Sequence, residues 1–329
     1  MRCVVYGAGA IGATIGGRLH ESGHDVVLIA RGAHGRALRE HGLKLESPTA
    51  SVTLAIRTVQ GPDELDWRGV DVALMAMKSQ DTAAAASALA SAAGPDIAVV
   101  AAQNGVENER FLSRWFDHVY GMCVMCPAAN LEPGRIQVHS APVSGMLDIG
   151  RYPSGVDETS QAIAAALQRS TFLSEARPDI MRWKFRKLLM NLGNGVQALC
   201  GPSEWDDDLE RVVQMLEAEA NEVFAAAGIS PVSVEEDRAR RSDHLNVRPV
   251  GDKQRGGGST WQSLQRGTGS VETDYLNGEI ALLGRLHGIA TPANATVQRL
   301  TTVAARDHQP PGSIAHADLL ALLNETARA

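Results

Sequence analysis

Cysteine is scarce in this sequence: the 329 residues include only Cys3, Cys123, Cys126 and Cys200. Four cysteines are too few to supply a disulfide framework for a chain of this size. Cys123 and Cys126 form a CxxC pair, but their segment, VYGMCVMCPAANL, is typical of a strand, in which an odd separation directs the two thiols to opposite faces. No second CxxC or nearby histidine pair completes a zinc site. We therefore expect buried structural thiols and no metal.

An excess of positive charge and long apolar runs are also missing. The formal net charge is −7, which gives no reason to expect a nucleic-acid partner. Gly, Ser or charged residues interrupt the apolar runs well before the ~20 residues that a membrane span needs, so no membrane partner is expected. The opening MRCVVYGAGAIG has too short an apolar part for a secretory leader. These features together favour a cytoplasmic protein.

The chain is long enough for two domains, because single cores tend to stop growing near ~250 to 300 residues. In the first half, β-branched runs such as CVVYG, DVVLIA and VDVALMAM alternate with helical segments, which predicts a parallel sheet covered on both faces. From about residue 178 helical periodicity dominates. The predicted fold class is α/β, with an N-terminal Rossmann-type doubly wound sheet in residues 1–176 and an all-helical C-terminal domain in residues 177–329.

Several segments refine this outline. After Pro127, GRIQVHS and SGMLDIG predict an antiparallel addition to the strands. DLERVVQMLEAEANEVFAAAG predicts a long helix ended by Gly228, and SVETDYLNGEIALLGRLHG a helix ended by Gly288. Residues 250–260, VGDKQRGGGST, are either a loose surface loop or a mobile piece of a site.

A GxGxxG pattern occupies the first turn of the chain, between a predicted strand and a predicted helix. In that context the pattern is typical of a dinucleotide-binding turn. The first glycine permits the tight turn, the second lets the backbone approach the pyrophosphate, and the third allows helix and strand to pack closely. The helix N-terminus then faces the phosphates. The predicted cofactor-binding residues of this turn are Gly7, Ala8, Gly9, Ala10, Ile11 and Gly12.

The second strand ends in an arginine where an NAD site usually carries Asp or Glu. In DVVLIAR this residue is Arg31, and Arg36 and Arg39 follow within two helical turns. A guanidinium suits a 2′-phosphate, which predicts NADP(H) as the cofactor. The third and fourth strands end in Lys78 and in the QNG of residues 103–105, which we expect to line the same cleft because ligands bind beyond the carboxyl ends of such strands.

The segment WKFRKLLMNLGN, residues 183–194, carries a polar stripe on a predicted helix. At about 100° per residue, Lys184, Lys187, Asn191 and Asn194 fall within an arc of roughly 80°. An ordinary amphipathic helix with a solvated stripe is one interpretation, and a stripe facing an enclosed site is the other.

Seven features occur in order along the chain: GAGAIG, Arg31, Lys78, QNG, KLLMN at 187–191, STWQSLQRGTGSVETDYLNGEI at 259–280 and PAN at 292–294. With these features the chain resembles the ketopantoate reductase family. Its members are 2-dehydropantoate 2-reductases, which use NADPH on the route to pantothenate and coenzyme A. The resemblance covers nearly the whole length. It implies a small 2-oxo acid as the substrate. Ala-rich and Leu-rich helical faces could support a homodimer.

The resemblance also implies roles for individual residues. Lys187 matches the general acid lysine, and Asn191 an asparagine that binds substrate. Glu272 matches the acidic residue that holds the hydroxyl end of the substrate and orients the lysine. We expect Glu272 to belong to the cofactor-binding residues as well. Ser259 and Thr260 match a pair of hydroxyl residues near the substrate. Asn104 and Lys78 match residues near the nicotinamide. If Glu272 lies on a second helix, it meets Lys187 only when the helical domain folds compactly.

The chain departs from the family pattern on the substrate side. Asn194, a further substrate-binding candidate, follows Asn191 by three residues rather than four, and Gln-Ser-Leu follows Trp261 where many members have a Gln-Asp pair. These changes leave other interpretations open: an NADP-dependent reductase of another branched 2-oxo acid, an opine-type imine reductase, or a non-catalytic NADPH-binding sensor.

Overall fold

The computed structural model describes residues 1–202, 206–252 and 256–327. Two compact units divide the chain: Met1–Lys184 with Ser233–Arg255, and Phe185–Val232 with Gly256–Ala329. The strands are β1 Arg2–Tyr6, β2 Asp25–Ile29, β3 Leu43–Glu46, β4 Ser51–Leu54, β5 Arg57–Val59, β6 Val72–Met75, β7 Ala98–Ala101, β8 Val119–Met125, β9 Ala128–Glu132, β10 Arg135–Val138, β11 Gly145–Arg151 and β12 Phe172–Leu173. The α-helices are α1 Ala10–Glu21, α2 Gly32–His41, α3 Thr82–Ala93, α4 Asn108–Leu112, α5 Glu158–Gln168, α6 Ile180–Asn191, α7 Gly193–Cys200, α8 Asp207–Ala227, α9 Val234–Arg241, α10 Ser259–Gln265, α11 Asn277–His287, α12 Pro292–Arg306 and α13 His316–Thr326.

An eight-stranded sheet forms the centre of the first unit, in the order β12-β11-β8-β7-β6-β1-β2-β5. All neighbours from β5 to β8 pair in parallel. Counted along the chain, the strands of this parallel part have the order 3-2-1-4-5-6 of a doubly wound dinucleotide-binding fold. β11 pairs antiparallel with β8, which confirms the antiparallel addition predicted for SGMLDIG.

Side chains at alternating positions of the central strands enter two separate cores. Val5, Leu28 and Leu74 belong to one core, and Val4, Val27 and Ala73 to the other. Since both faces of the sheet are covered, every position of such a strand is apolar, and the continuous rather than alternating pattern of the sequence follows.

A second sheet of four strands has the order β4-β3-β10-β9. The sequence GRIQVHS forms β10 here rather than in the main sheet, pairing antiparallel with β9 and parallel with β3. The polar residues of LKLE and SVTL gave no clear strand signal, so β3 and β4 were not predicted from the sequence. β3 pairs with β10, about ninety residues later, and β4 pairs in turn with β3.

The second unit contains α-helices and no strand among its described residues. α8 ends at Ala227 because Gly228 adopts the left-handed conformation (φ 67°), and α11 ends in the same way before Gly288 (φ 72°). Both predicted helix ends are therefore confirmed. The predicted single helix before Gly288 is wrong at its start: a short 3-10 turn, Thr273–Tyr275, comes first, and Leu276 (φ −118°, ψ −93°) separates it from α11.

The division of the compact units differs from the predicted boundary between residues 176 and 177. The first unit extends to Lys184, inside α6, and also takes in residues 233–255. This later segment is held by Arg240, whose guanidinium donates to both carboxylate oxygens of Asp148 at 2.9 and 2.7 Å. Arg177 donates to the same carboxylate at 2.8 Å. The partners are 92 residues apart, so local sequence patterns could not reveal the contact.

Candidate active-site residues

The glycine turn lies between β1 and α1, with Gly9 as the N-cap of the helix. Gly7 has φ +98°, and a Cβ built on it would lie 2.5 Å from the backbone nitrogen of Met77. A Cβ on Gly12 would overlap the carbonyl oxygen of Gly7 and lie 3.0 Å from the Val5 side chain. Glycine is therefore required at both positions, at Gly7 for the turn and at Gly12 for helix–strand packing.

The backbone at Gly9 is open to a ligand. A Cβ built there would contact none of the described residues within 4 Å, and α1 begins at the next residue. The first N–H groups of a helix have no intrahelical partner, and the helix dipole favours an anion at this end. The turn therefore fits the pyrophosphate of a dinucleotide.

Arg31 is exposed and forms the N-cap of α2, two residues after the end of β2. Burial raises the pKa of Tyr6, at the end of β1, and the positive charge of Arg31 opposes that rise. The guanidinium thus lies near the carboxyl edge of the central strands, where a ribose phosphate would be placed. Arg36 and Arg39 are also exposed on α2. These cations fit a cofactor with a 2′-phosphate.

Lys78 and Asn104 follow two neighbouring parallel strands, β6 and β7, at the same edge of the sheet. Lys78 is the half-buried N-cap of a short 3-10 turn, Ser79–Asp81. Asn104 is half-buried and precedes Gly105, whose φ of +77° makes the turn. Both residues therefore come from one edge of the sheet, and their place in the same cleft as the glycine turn stays a prediction.

A chain of buried hydrogen bonds joins the loops that carry these two residues. Gln103 Nε2 donates to the Met77 carbonyl at 2.9 Å and to the Thr82 hydroxyl at 2.8 Å. The Thr82 hydroxyl donates to Asn108 Oδ1 at 2.8 Å, and Asn108 Nδ2 donates to the Asn104 carbonyl at 3.1 Å. The positions of Lys78 and Asn104 are therefore fixed relative to each other.

Lys184 does not belong to an open polar stripe. Its side chain is 3% exposed, its ammonium donates to the Gln103 carbonyl at 3.1 Å, and it forms an ion pair with Glu109, which is fully buried. Gly121 leaves room for the pair, since a Cβ there would lie 3.2 Å from Glu109 Oε1. Burial raises the pKa of Glu109, and the neighbouring lysine charge opposes this. The interpretation of a fully solvated stripe is wrong at this residue.

The remaining members of the stripe divide between two helices. Lys187 and Asn191 are half-buried and one turn apart in α6, which ends at Asn191. Asn194 lies in α7, so the prediction of one uninterrupted helix is wrong. The interruption is slight, because Leu192 keeps helical angles (φ −60°, ψ −34°).

Ser259 and Thr260 begin α10, which packs against α7. The Gly258 N–H donates to Gln197 Oε1 at 2.7 Å, and a Cβ on Gly258 would lie 3.1 Å from Asn194 Oδ1. The start of α10 is thus brought next to Asn194. Of the predicted loop at residues 250–260, residues 253–255 lie outside the described residues, and Gly256 and Gly257 pack against Trp261.

Three oxygen atoms of the predicted substrate-binding residues are buried without a hydrogen-bond partner among the described residues. They are Asn191 Oδ1, Ser259 Oγ and Thr260 Oγ1. A buried polar group without a partner is costly, so such groups call for an explanation. Two hydroxyl groups that can donate and an amide oxygen that can accept fit a small polar ligand.

Glu272 is 5% exposed and precedes the 3-10 turn Thr273–Tyr275. It does not lie on an α-helix, which corrects the prediction. Lys187 and Glu272 belong to the same compact unit, and their pairing stays a prediction.

The family-like motifs LNGE and PAN have a structural role. Asn277 Nδ2 donates to the Leu192 carbonyl at 3.2 Å and to Asn294 Oδ1 at 3.0 Å. Glu219 accepts from the backbone N–H groups of Ala293 and Asn294 at 2.7 and 2.9 Å, at the start of α12. The motifs therefore hold the junction of α6 and α7 against α12.

The cysteines are all free thiols. Cys123 is buried in β8 and contacts the Trp183 carbonyl, whereas Cys126 follows the strand and contacts the Ser144 carbonyl. Within the described ranges no cluster of three or more His, Cys, Asp or Glu residues could hold a metal ion. In the same ranges no helix has the length and apolarity needed to cross a membrane.

Sequence reasoning missed three groups of residues around these positions: His34, the hydrogen-bonded pair Thr82 and Asn108, and the Glu109 partner of Lys184. Their partners are 26 to 100 residues away in the chain. No local signal marked them: Glu109, for example, stands between the polar residues Asn108 and Arg110 in the sequence.

Two family models match this chain. Ketopantoate reductase PanE/ApbA matches residues 3–154, and ketopantoate reductase PanE/ApbA C terminal matches residues 179–305. A 2-dehydropantoate 2-reductase of Halobacterium salinarum is 28% identical over 324 residues, covering 93% of this chain and all of the relative.

Solved structures show the same similarity. A PanE/ApbA family ketopantoate reductase from Ralstonia eutropha JMP134 is 28% identical, with a TM-score of 0.78 over 94% of this chain and 100% of that one. D-mandelate dehydrogenase in complex with NADH and anilino(oxo)acetate shares the fold, with a TM-score of 0.81 at 22% identity over 94% of this chain and 100% of that one. Since the two family models together match most of the chain, the chain belongs to the ketopantoate reductase family.

Proposed function

We propose that the protein reduces 2-dehydropantoate (ketopantoate) to pantoate with NADPH, on the route to pantothenate and coenzyme A. One observation carries the proposal: the family match extends through α6, where Lys187 and Asn191 are one turn apart on a half-buried face. The relative in Halobacterium salinarum is named for this activity. The glycine turn and Arg31 support NADP(H) as the cofactor.

The residues of this chain account for the proton transfer. Bound NADPH supplies a hydride to the carbonyl carbon of the 2-oxo acid. Negative charge then develops on the carbonyl oxygen, where the ammonium of Lys187 stabilises it and donates the proton. Glu272, as a paired carboxylate, keeps Lys187 charged and oriented.

The substrate-binding set is Asn104, Asn191, Asn194, Ser259 and Thr260. The hydroxyl groups of Ser259 and Thr260 can donate to a carboxylate or hydroxyl oxygen, and Asn191 Oδ1 can accept from a substrate hydroxyl. Asn191 Oδ1, Ser259 Oγ and Thr260 Oγ1 are buried and have no partner among the described residues, which supports a ligand that carries both kinds of group, as ketopantoate does.

Steady-state kinetics of the purified protein test the proposal. Loss of NADPH absorbance is measured with ketopantoate, with a panel of branched and aromatic 2-oxo acids, and with 2-oxo acids mixed with amines. We expect kcat/KM to be highest for ketopantoate. Faster turnover of another oxo acid or of an imine contradicts the substrate assignment, and NADPH binding without any turnover identifies a sensor.

Arg31→Ala tests the cofactor assignment. The loss of one charge-assisted contact to the 2′-phosphate should weaken NADPH binding by ~1.5 to 3 kcal/mol, roughly tenfold to more than a hundredfold. NADH affinity, measured by the same titration, should stay unchanged because NADH has no 2′-phosphate. An equal loss for both cofactors would contradict this role of Arg31.

We also propose that the enzyme acts in the cytoplasm as a homodimer. The sequence favours the location, and α11 leaves Leu282 and Leu286 exposed on its surface. Light scattering during size exclusion tests the assembly: about twice 35.0 kDa supports the dimer, and 35.0 kDa contradicts it.

A further inference from the structure

His34, in the first turn of α2, joins two backbone groups that are far apart in the sequence. Its Nε2 lies 2.7 Å from the carbonyl oxygen of Ala8, in the glycine turn. On the other side of the ring, the Gly134 N–H donates to Nδ1 at 3.0 Å. A ring nitrogen that accepts an N–H carries no hydrogen, so the hydrogen of the neutral ring is on Nε2 and is donated to Ala8. The contacts define one tautomer.

Each partner of this ring is itself held in place. The Ala8 N–H donates to the Ile29 carbonyl at 3.4 Å, so both backbone polar groups of Ala8 are bonded. Gly134 forms the turn between β9 and β10 with φ +77°, and a Cβ on it would lie 3.0 Å from the Cβ of Ala37 in α2. All of these groups belong to the first compact unit.

The hydrogen bond between His34 and Ala8 lies between the two parts of the proposed cofactor site that would hold phosphate groups. The glycine turn faces the pyrophosphate, and Arg31, the N-cap of α2, suits the 2′-phosphate. His34 follows Arg31 by three residues, so its bond to Ala8 ties the first turn of α2 to the glycine turn.

We infer that His34 is a positioning residue that keeps Arg31 and the glycine turn at the spacing required by NADPH. The inference rests on the proposed use of NADPH and adds a residue that holds the site without supplying a phosphate contact. Burial lowers the pKa of His34, although the hydrogen bond to the Ala8 carbonyl opposes this, and a lower pKa favours the neutral ring that the two contacts require.

Three variants separate positioning from simple destabilisation. His34→Leu removes both contacts, whereas His34→Gln keeps one donor and one acceptor on a side chain of similar reach. His41→Leu is the matched control, because His41 lies in the same helix and its side chain is 78% exposed. Dissociation constants of NADPH and NADH are measured for each variant without oxo acid, together with the free energy of unfolding.

We expect His34→Leu to weaken NADPH binding about three- to tenfold, the equivalent of one neutral hydrogen bond, and to weaken NADH binding less. His34→Gln should recover most of the NADPH affinity, and His41→Leu should match the wild type. An unchanged NADPH affinity in His34→Leu overturns the inference. Equal losses for NADPH and NADH also overturn it, because Arg31 would then not be affected.

The ring tautomer gives a second readout in the wild-type protein. Long-range ¹H–¹⁵N correlation spectra should show a neutral His34 with its hydrogen on Nε2, and a ring protonated on Nδ1 overturns the inference. Neither measurement uses turnover. An enzyme that fails to reduce ketopantoate therefore refutes the proposed function alone, and a His34→Leu variant with full NADPH affinity refutes the positioning role alone.

Discussion

Two buried threonines, one in each compact unit, differ in the hydrogen bonding of their hydroxyl groups. Thr82 begins α3 in the first unit, where its hydroxyl accepts from Gln103 and donates to Asn108, both at 2.8 Å. Thr260 is the second residue of α10 in the second unit, and its hydroxyl is buried without a partner among the described residues. Both side chains are almost fully buried, at 3% and 1% exposure.

This difference supports the proposal that the substrate contacts buried hydroxyl groups of the second unit. The loops that carry Lys78 and Asn104 are organised by the protein itself, through Thr82, Gln103 and Asn108. At Thr260, Ser259 and Asn191, buried oxygen atoms have no hydrogen-bond partner within the part of the chain that the structure describes, which supports their proposed role in substrate binding. Lys184 and Lys187, one turn apart in α6, also divide between the units: Lys184 is buried in an ion pair of the first unit, and Lys187 belongs to the helical unit.

The largest effect is expected from Lys187→Ala. Because the developing oxyanion would lose its proton donor, turnover of ketopantoate should fall by ~10² to 10⁴. NADPH affinity, measured by direct titration, should remain near that of the wild type. A parallel loss of cofactor affinity would show that Lys187 does not act as the general acid.

Lys184→Met should instead reduce stability. Removing one partner leaves Glu109 buried without a countercharge, which typically costs about 3 to 5 kcal/mol in the free energy of unfolding. Urea denaturation measures the loss. The double variant with Glu109→Leu should recover most of it, since two apolar side chains need no countercharge. A fully stable single variant would show that the pair is not buried as an ion pair.

Thr82→Val and Thr260→Val test the opening comparison directly. Thr82→Val removes one hydrogen-bond partner from each of the buried amide groups of Gln103 and Asn108, so the free energy of unfolding should fall by about 1 to 3 kcal/mol. Thr260→Val removes a hydroxyl that has no partner among the described residues, so stability should stay the same or rise while KM for ketopantoate increases. Denaturant titrations and steady-state kinetics are measured for both variants. Equal destabilisation of the two variants would contradict the difference between the two hydroxyl groups.

Glu46 gives the smallest expected effect, and one that depends on pH. Burial raises the pKa of this carboxyl, but hydrogen bonds from Arg135, Lys44 and Gln137 outweigh burial and lower the pKa from 4.5 to about 2. Since the folded pKa is the lower one, the stabilisation is complete above pH 4.5 and is lost as the pH falls towards 2.

Glu46→Gln should therefore lose about 1 to 2 kcal/mol at neutral pH and show a flatter acid limb than the wild type. Denaturant titrations at several pH values between 7 and 3 give the comparison. Parallel stability curves for the two proteins would contradict the lowered pKa.

Local patterns were sufficient for much of the first unit and for two helix ends of the second unit. The periodicity of CVVYG, DVVLIA and VDVALMAM predicted the central strands, and Gly228 and Gly288 marked two helix ends, because these signals act within a few residues. The weak strands β3 and β4, the 3-10 turn before α11 and the return of α9 to the first unit depend on partners elsewhere in the chain. Short-range periodicity contains no information on such partners.

For the site, the sequence alone determined the glycine turn, the cationic residue after the second strand and the presence of Lys187 and Asn191 one helical turn apart, since each follows from residue type and spacing. Only the tertiary structure decided that Lys184 is buried against Glu109, that Asn194 belongs to a new helix beside Gly258, and that His34 bonds the glycine turn. The physical reason is that hydrogen bonds and ion pairs form between groups that are close in space, and the folding of the whole chain sets which groups those are.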